Sequence, residues 1–187
     1  MAHAGFKGKL LVASPILRDP NFYRSVILVL EHTGDGALGL VLNRPSDTAV
    51  DDPLPGWSEL SADPRVVFVG GPVQPNAAIC LARVEPGAAG EAGGWTPLSG
   101  GLGTLDLDRD PEELAPHVES VRIFAGYAGW APGQVEGEMG EHAWLLVEAE
   151  PDDPMTGDPL ALWKAVLRRQ GGQSALLAGY PDNPSLN

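Results

Sequence analysis

A single cysteine, Cys80, stands in this 187-residue chain. One thiol cannot close an intramolecular disulfide, so no oxidative staple is available and a reducing compartment is expected. Cys80 lies in the apolar run Ala77-Ala78-Ile79-Cys80-Leu81 and reads as a small buried hydrophobe. Basic side chains are also scarce: 12 Lys and Arg face 25 Asp and Glu, a net charge of -13. Nucleic-acid binding through phosphates needs a cationic surplus on one face, so direct DNA binding is disfavoured. Long apolar runs are missing too. Runs such as residues 26–30 are far shorter than the roughly 20 residues that a membrane-spanning helix requires. No apolar segment of secretory length precedes Pro15. These absences together lead to the expectation of a cytoplasmic protein with no membrane association.

Catalytic signatures are equally scarce. The chain has no Gly-x-Ser-x-Gly nucleophile elbow and no Gly-x-x-x-x-Gly-Lys phosphate loop. Gly100-Gly101-Leu102-Gly103 lacks the strand–turn–helix context of a dinucleotide site and reads as a bend or bulge. Asp106-Leu107-Asp108-Arg109-Asp110 opens like a calcium loop. It then places Pro111 where glycine is needed and His117 where a bidentate glutamate belongs. The four histidines, His3, His32, His117 and His142, show no ligand spacing, so no metal and no cofactor are expected.

What the chain does have is apolar segments punctuated by turns. Its 24 glycines and 18 prolines gather between those segments. Residues 9–13, 25–31, 37–42, 66–69, 77–84, 100–107, 121–127 and 144–147 read as strands. Thr33-Gly34-Asp35-Gly36 supplies a hairpin turn. Residues 43–55, broken by three prolines, read as a loop, and residues 86–94 as a flexible one. Asp110-Pro111 with Glu113 predicts a short helix. Asp158-Pro159 predicts a longer one, with Leu160, Trp163, Val166 and Leu167 at helical spacing and Gly171-Gly172 at its end. Residues 132–139 form a weak helix candidate because two glycines interrupt them. The expected architecture is a single α+β domain over 1–187, with an ordered core over about 7–180 and fraying over 181–187.

Polar or glycine-rich loops follow several strands, which is where sites are commonly built. They contribute Asn43-Arg44-Pro45, Gly70-Gly71-Pro72 and Gly126-Tyr127-Ala128-Gly129-Trp130, followed by Gln134, Glu136 and Glu138. His32 stands at the hairpin shoulder beside Glu31. In a ligand pocket at 43–45, 70–72 and 126–138, Arg44 would hold an anion, Tyr127 or Trp130 would stack, and Glu136 or Glu138 would act as base. In a packing role the glycines would serve close approach, and Arg44 would pair with Glu136 or Glu138.

These blocks, with Leu10-Leu11-Val12-Ala13-Ser14-Pro15, Asp19, Phe22, Gly36-Ala37-Leu38-Gly39-Leu40-Val41-Leu42-Asn43-Arg44-Pro45 and Gly133-Gln134-Val135-Glu136-Gly137-Glu138, resemble the YqgE/AlgH family of bacterial proteins, UPF0301. The resemblance runs from about residue 10 to residue 169. It departs at Val135, where leucine is usual, and at Ala82, where the strand often ends in histidine. It implies an α+β fold whose mixed, partly barrel-like β-sheet is flanked by a few helices. It also implies an intracellular protein without established catalytic residues, one branch being labelled a transcriptional regulator. The expected function is therefore a non-enzymatic regulatory or interaction protein with a protein partner, acting on transcription indirectly. The alternative is a small-molecule-binding domain or enzyme using the strand-end pocket.

Overall fold

A computed structural model describes residues 5–88 and 93–182. Among them, strands β1 (Leu10–Ala13), β2 (Val26–Thr33), β3 (Gly36–Val41), β4 (Pro45–Ala49), β5 (Val66–Val69), β6 (Val73–Val84), β7 (Trp95–Ser99), β8 (Leu102–Leu105), β9 (Val118–Trp130) and β10 (Trp144–Val147) form one ten-stranded sheet. Eight lie in the order β10-β1-β2-β3-β9-β6-β8-β7. β4 pairs with β5, and β5 runs parallel to β9 through Phe68↔Phe124 and Val69↔Ala125. The sheet curls into a half-barrel, an α+β architecture. The helices are α1 (Pro111–Leu114), α2 (Gln134–Gly140), α3 (Leu162–Gln170) and α4 (Gly172–Leu177). No helix among the described residues is long and apolar enough to cross a membrane.

The unbroken apolar runs of β1 and β2 follow from burial on both faces. Leu10, Val12, Val26 and Leu28 point inward, onto Leu162, Trp163, Val166 and Leu167 of α3. Their neighbours Leu11, Ala13, Ile27 and Val29 point outward, into a cluster closed by Val135 of α2. A second outer cluster joins Cys80, Ala82, Val121 and Ile123 to Val50, Trp57 and Leu114. Burial pushes the Cys80 thiol up, so it packs rather than reacts.

β9 serves both halves of the sheet, and one bulge allows it. Arg122 and Phe124 face inward while Val121 and Ile123 face outward. Past Gly126 the parity inverts: Tyr127 faces inward, and Ala128 and Trp130 outward. Gly126 adopts φ 74°, and its partner strand jumps from Val73 to Ala78 while β9 advances only from Tyr127 to Ala125. A bulge of this kind inserts residues and turns the strand. Gly70 and Gly71 lie directly against it. A Cβ on Gly70 would collide with the Gly126 carbonyl, one on Gly126 with the Gly71 carbonyl, and one on Gly71 with the Tyr127 backbone.

Arg122 is 2% exposed. It donates to the carbonyls of Asp63 (2.6 Å), Pro154 (3.1 Å) and Thr156 (2.9 Å), and its guanidinium stacks 4.4 Å from the Phe68 ring centroid. Burial lowers it to about 10, opposed by Asp63, so it stays charged at neutral pH. The cation thus pins two loops onto the inner face.

Several expected elements are corrected. The loop at 43–55 contains β4: Ser46 donates to the Val67 carbonyl, which fixes the segment on β5 despite its prolines. β7 was not expected, because Pro97 argues against a strand, but at the sheet edge the missing N–H costs nothing. The strand at 100–107 shortens to β8, since Gly100 and Gly101 take positive φ and form the turn. Asp158 makes no side-chain cap; a 3-10 turn at Pro159–Ala161 precedes α3. α4 begins at Gly172. Of the fraying expected over 181–187, residues 183–187 lie outside the described residues, and at 182 Arg24 pairs with Asp182 at 2.7 Å while Tyr23 donates to the Asp182 carbonyl. Of the loop at 86–94, residues 89–92 lie outside the described residues.

Two predictions follow from packing. Gly126 and Gly133 share φ 74°, but only Gly126 is surrounded by backbone. Gly133→Ala is expected to cost about 1 kcal/mol from backbone strain alone, and Gly126→Ala about 3 kcal/mol or more, read from urea midpoints at constant slope. Equal losses would show that the contact at the bulge is unimportant. Arg122→Met leaves three carbonyls without a donor and should cost about 2–4 kcal/mol. Amide exchange should speed up first in the segments around Asp63 and Thr156.

Candidate functional site

The predicted polar residues fall into separate sets of contacts. Asn43 follows β3 directly. Its Oδ1 accepts from the Val26 N–H at 3.0 Å, and its Nδ2 donates to the Arg24 carbonyl at 2.9 Å. Arg44 donates to the carbonyls of Pro20 (2.8 Å) and Tyr23 (2.9 Å). Burial lowers the Arg44 guanidinium from its ordinary value, and Asp19 opposes that shift. Asp19 in turn closes an Asx turn by accepting from the Asn21 N–H at 2.8 Å. The segment 19–25 is thereby locked, with Phe22 projecting from it. Phe22 stacks on Trp130 at 6.3 Å and meets Trp144 edge-on at 5.7 Å, and the two indoles are themselves 6.0 Å apart. Such offset and T-shaped pairs each stabilise by about 0.5–1.5 kcal/mol beyond burial.

Glu138 completes the assembly from α2. One carboxylate oxygen accepts both indole N–H groups, from Trp130 at 3.0 Å and Trp144 at 2.9 Å. The other accepts from Gln134 Nε2 at 3.0 Å. Gln134 also accepts from the Ala131 N–H at 3.0 Å, which anchors the start of the helix. Both tryptophans are nearly buried, so their N–H groups need this partner. Trp130 ends β9 and Trp144 begins β10, the two strands that flank β1, β2 and β3. One side chain therefore ties the two edges of that three-strand group.

His32 and Glu136 form a separate pair, with Glu136 two residues earlier on α2 than Glu138. His32 Nε2 lies 2.5 Å from Glu136 Oε1. Its Nδ1 accepts from the Phe6 N–H at 3.1 Å, and Phe6 stacks on the imidazole at 4.2 Å and 11°. An Nδ1 that accepts a backbone N–H carries no proton. The ring is therefore the neutral Nε2–H tautomer, donating to Glu136. A surface depression of about 370 Å³ opens here, lined by Gly5, His32, Thr33, Gly34, Gly133 and Glu136.

The structure brings Asn43, Arg44, Trp130, Gln134 and Glu138 into one chain of contacts, and His32 and Glu136 into a second. Arg44 reaches Trp130 only through the segment bearing Phe22. Its bonds go to carbonyls, not to Glu136 or Glu138 as a closing ion pair would require. Tyr127 and Trp130 lie on opposite faces of the sheet, because the bulge at Gly126 separates them. Gly70 and Gly71 face backbone. Sequence reasoning passed over Phe6, Trp144 and Arg122 as site or anchor residues. For Arg122 a signal existed: a lone cation inside Val121-Arg122-Ile123-Phe124 must find partners when that strand is buried. Among the described residues, no group of His, Cys, Asp and Glu is arranged to hold a metal.

The fold and this brace define a class of curled-sheet α+β proteins with a doubly used central strand. A family model described as AlgH-like, DUF179, matches residues 10–175, and the chain belongs to that family. It is 53% identical over 182 residues to the UPF0301 protein SCO2948 of Streptomyces coelicolor, covering 96% of this chain and 94% of that protein. It is 44% identical to a UPF0301 protein of Thermobifida fusca, covering 100% and 98%. The crystal structure of protein DIP2367 from Corynebacterium diphtheriae superposes with a TM-score of 0.88 at 32% identity, covering 95% of this chain and 93% of that one. The solution structure of the AlgH protein from Pseudomonas aeruginosa, also UPF0301, gives 0.67 at 28% identity, covering 98% of each.

Glu138→Leu strands two nearly buried indole N–H groups and is expected to cost about 2–4 kcal/mol, with tryptophan emission shifted to the red. Glu138→Gln keeps an acceptor for both indoles and should cost less than half as much. Matching losses in chemical denaturation would show that the indole bonds do not stabilise the fold.

Proposed function

We propose that this protein works without chemistry of its own, as a cytosolic regulatory or interaction protein that binds another protein. Any effect on transcription passes through that partner rather than through DNA. The observation that carries this reading is how the strand-end polar groups are used. A general acid or base needs a proton or lone pair within reach of a substrate. His32 has both ring nitrogens engaged, and Glu138 accepts on both oxygens. Asn43 and Arg44 are bonded to main chain. These residue types at these positions serve the shape of the surface. The net charge of -13 favours a partner with a basic face and repels phosphate.

A second reading, a small-molecule site, draws support from the depression beside His32 and Glu136. Arg44, Tyr127 and Trp130 do not line it, so the pocket would be smaller than the strand-end loops suggested.

Native mass spectrometry of protein isolated gently from its own cytosol separates the two. The expected result is a protein-sized adduct at fixed stoichiometry, released when salt rises to about 0.5 M, where surface charges are screened. A retained small-molecule mass would overturn the interaction reading in favour of the pocket. Tight DNA binding by the pure protein with a steep salt dependence would overturn the indirect mode.

A further inference from the structure

The segment before β1 is docked on β2 at two points, by the Gly8 N–H on the Val29 carbonyl at 2.8 Å and by the Phe6 N–H on an imidazole nitrogen. Phe6 donates its N–H to His32 Nδ1 at 3.1 Å and lays its ring on the imidazole at 4.2 Å, while Nε2 is held by Glu136 at 2.5 Å. The His32 side chain is 7% exposed. We propose that His32 is a pH-sensitive latch: the neutral ring holds the segment bearing Phe6, and the protonated ring releases it and widens the depression beside Glu136.

The argument is one of donors and acceptors. A proton from solvent can enter the ring only at the Nδ1 lone pair, since Nε2 already carries one. The new N–H then faces the Phe6 N–H, two donors head to head, and the Phe6 amide must turn to water. Contact with Glu136 survives and gains a full ion pair. The carboxylate favours the cation and the Phe6 amide favours the neutral ring, so the two partners of one imidazole oppose each other. Histidine is the side chain type whose charge changes nearest neutrality.

Few other charges bear on the ring among the described residues. On α2, Glu138 is turned to the tryptophans. On its own strand Glu31 points to the opposite face, as alternate strand residues do, and Asp35 lies in the exposed turn. From the docked segment Lys7 is exposed and Lys9 pairs with Glu148 at 3.2 Å. The facing position on β3 is Ala37. Glu136 is thus the ionisable group that sets the balance from the side opposite Phe6. Release frees one edge of the depression, since Gly5 and His32 both line it.

The test is the amide-exchange protection of Phe6, measured by NMR from about pH 8 to about pH 5 together with the ring nitrogen shifts of His32. The expected result at pH 8 is an Nε2–H tautomer and a protected Phe6 amide. As pH falls, that protection drops at least tenfold in step with protonation of Nδ1. His32→Gln supplies an amide oxygen for Phe6 and an N–H for Glu136 but does not titrate, so its Phe6 protection should stay flat. Glu136→Gln removes the anion but leaves the Nδ1 acceptor, so the Phe6 amide should stay protected at pH 8. The latch is overturned if Phe6 protection is unchanged between the two pH limits, if the loss persists in His32→Gln, or if the ring is protonated on Nδ1 at pH 8.

Discussion

The backbone contact between Gly70-Gly71 and Gly126 is the constraint on which the rest of the structure depends. Two chain segments cross there with no room for a Cβ on either. Gly126, in a left-handed conformation, turns β9 over. The same strand can then present Ile123 to one outer cluster and Trp130 to another, while Phe124 and Tyr127 both face α3. Without the inversion, a strand from Val118 to Trp130 would place Tyr127 outside and Trp130 inside. The indole would lose both Phe22 and Glu138. Glycine at these positions is required by close packing.

Much of the fold was legible from local pattern. β5 and β10 were readable to the residue, and β1, β2 and β3 to within one or two, because runs such as Val26-Ile27-Leu28-Val29 occur where both faces are covered. Hydrophobic periodicity and β-branching carry that information locally. The errors fall where tertiary context outweighs local preference. β4 and β7 contain prolines and polar residues, and they exist because a neighbour supplies the ladder on one side only. Asp158-Pro159 has the composition of a cap, but Asp158 donates its own N–H to the Thr156 hydroxyl, and the chain makes a 3-10 turn before the helix.

Which of the strand-end residues touch one another was not legible in the sequence. His32 meets Glu136, and Trp130 and Gln134 meet Glu138, while Asn43 and Arg44 bond to main chain. No sequence pattern says that Phe22 is the joint between Arg44 and Trp130, or that Trp144 shares the carboxylate of Glu138. Those pairings come from strands far apart in sequence and from a helix crossing over them. In this chain the charged and amide side chains satisfy main chain and indoles that the curled sheet would otherwise leave unpaired.

The claim that these residues form one brace is tested most directly by a double-mutant cycle between Arg44→Met and Glu138→Leu, followed by unfolding free energy. Among the described residues, Arg44 and Glu138 share no hydrogen bond, and the contacts that link them run through the segment bearing Phe22 and through the tryptophans. The account predicts a coupling of about 1 kcal/mol, beyond the roughly 0.3–0.5 kcal/mol within which independent sites add. Simple additivity would contradict it and leave two unrelated local anchors.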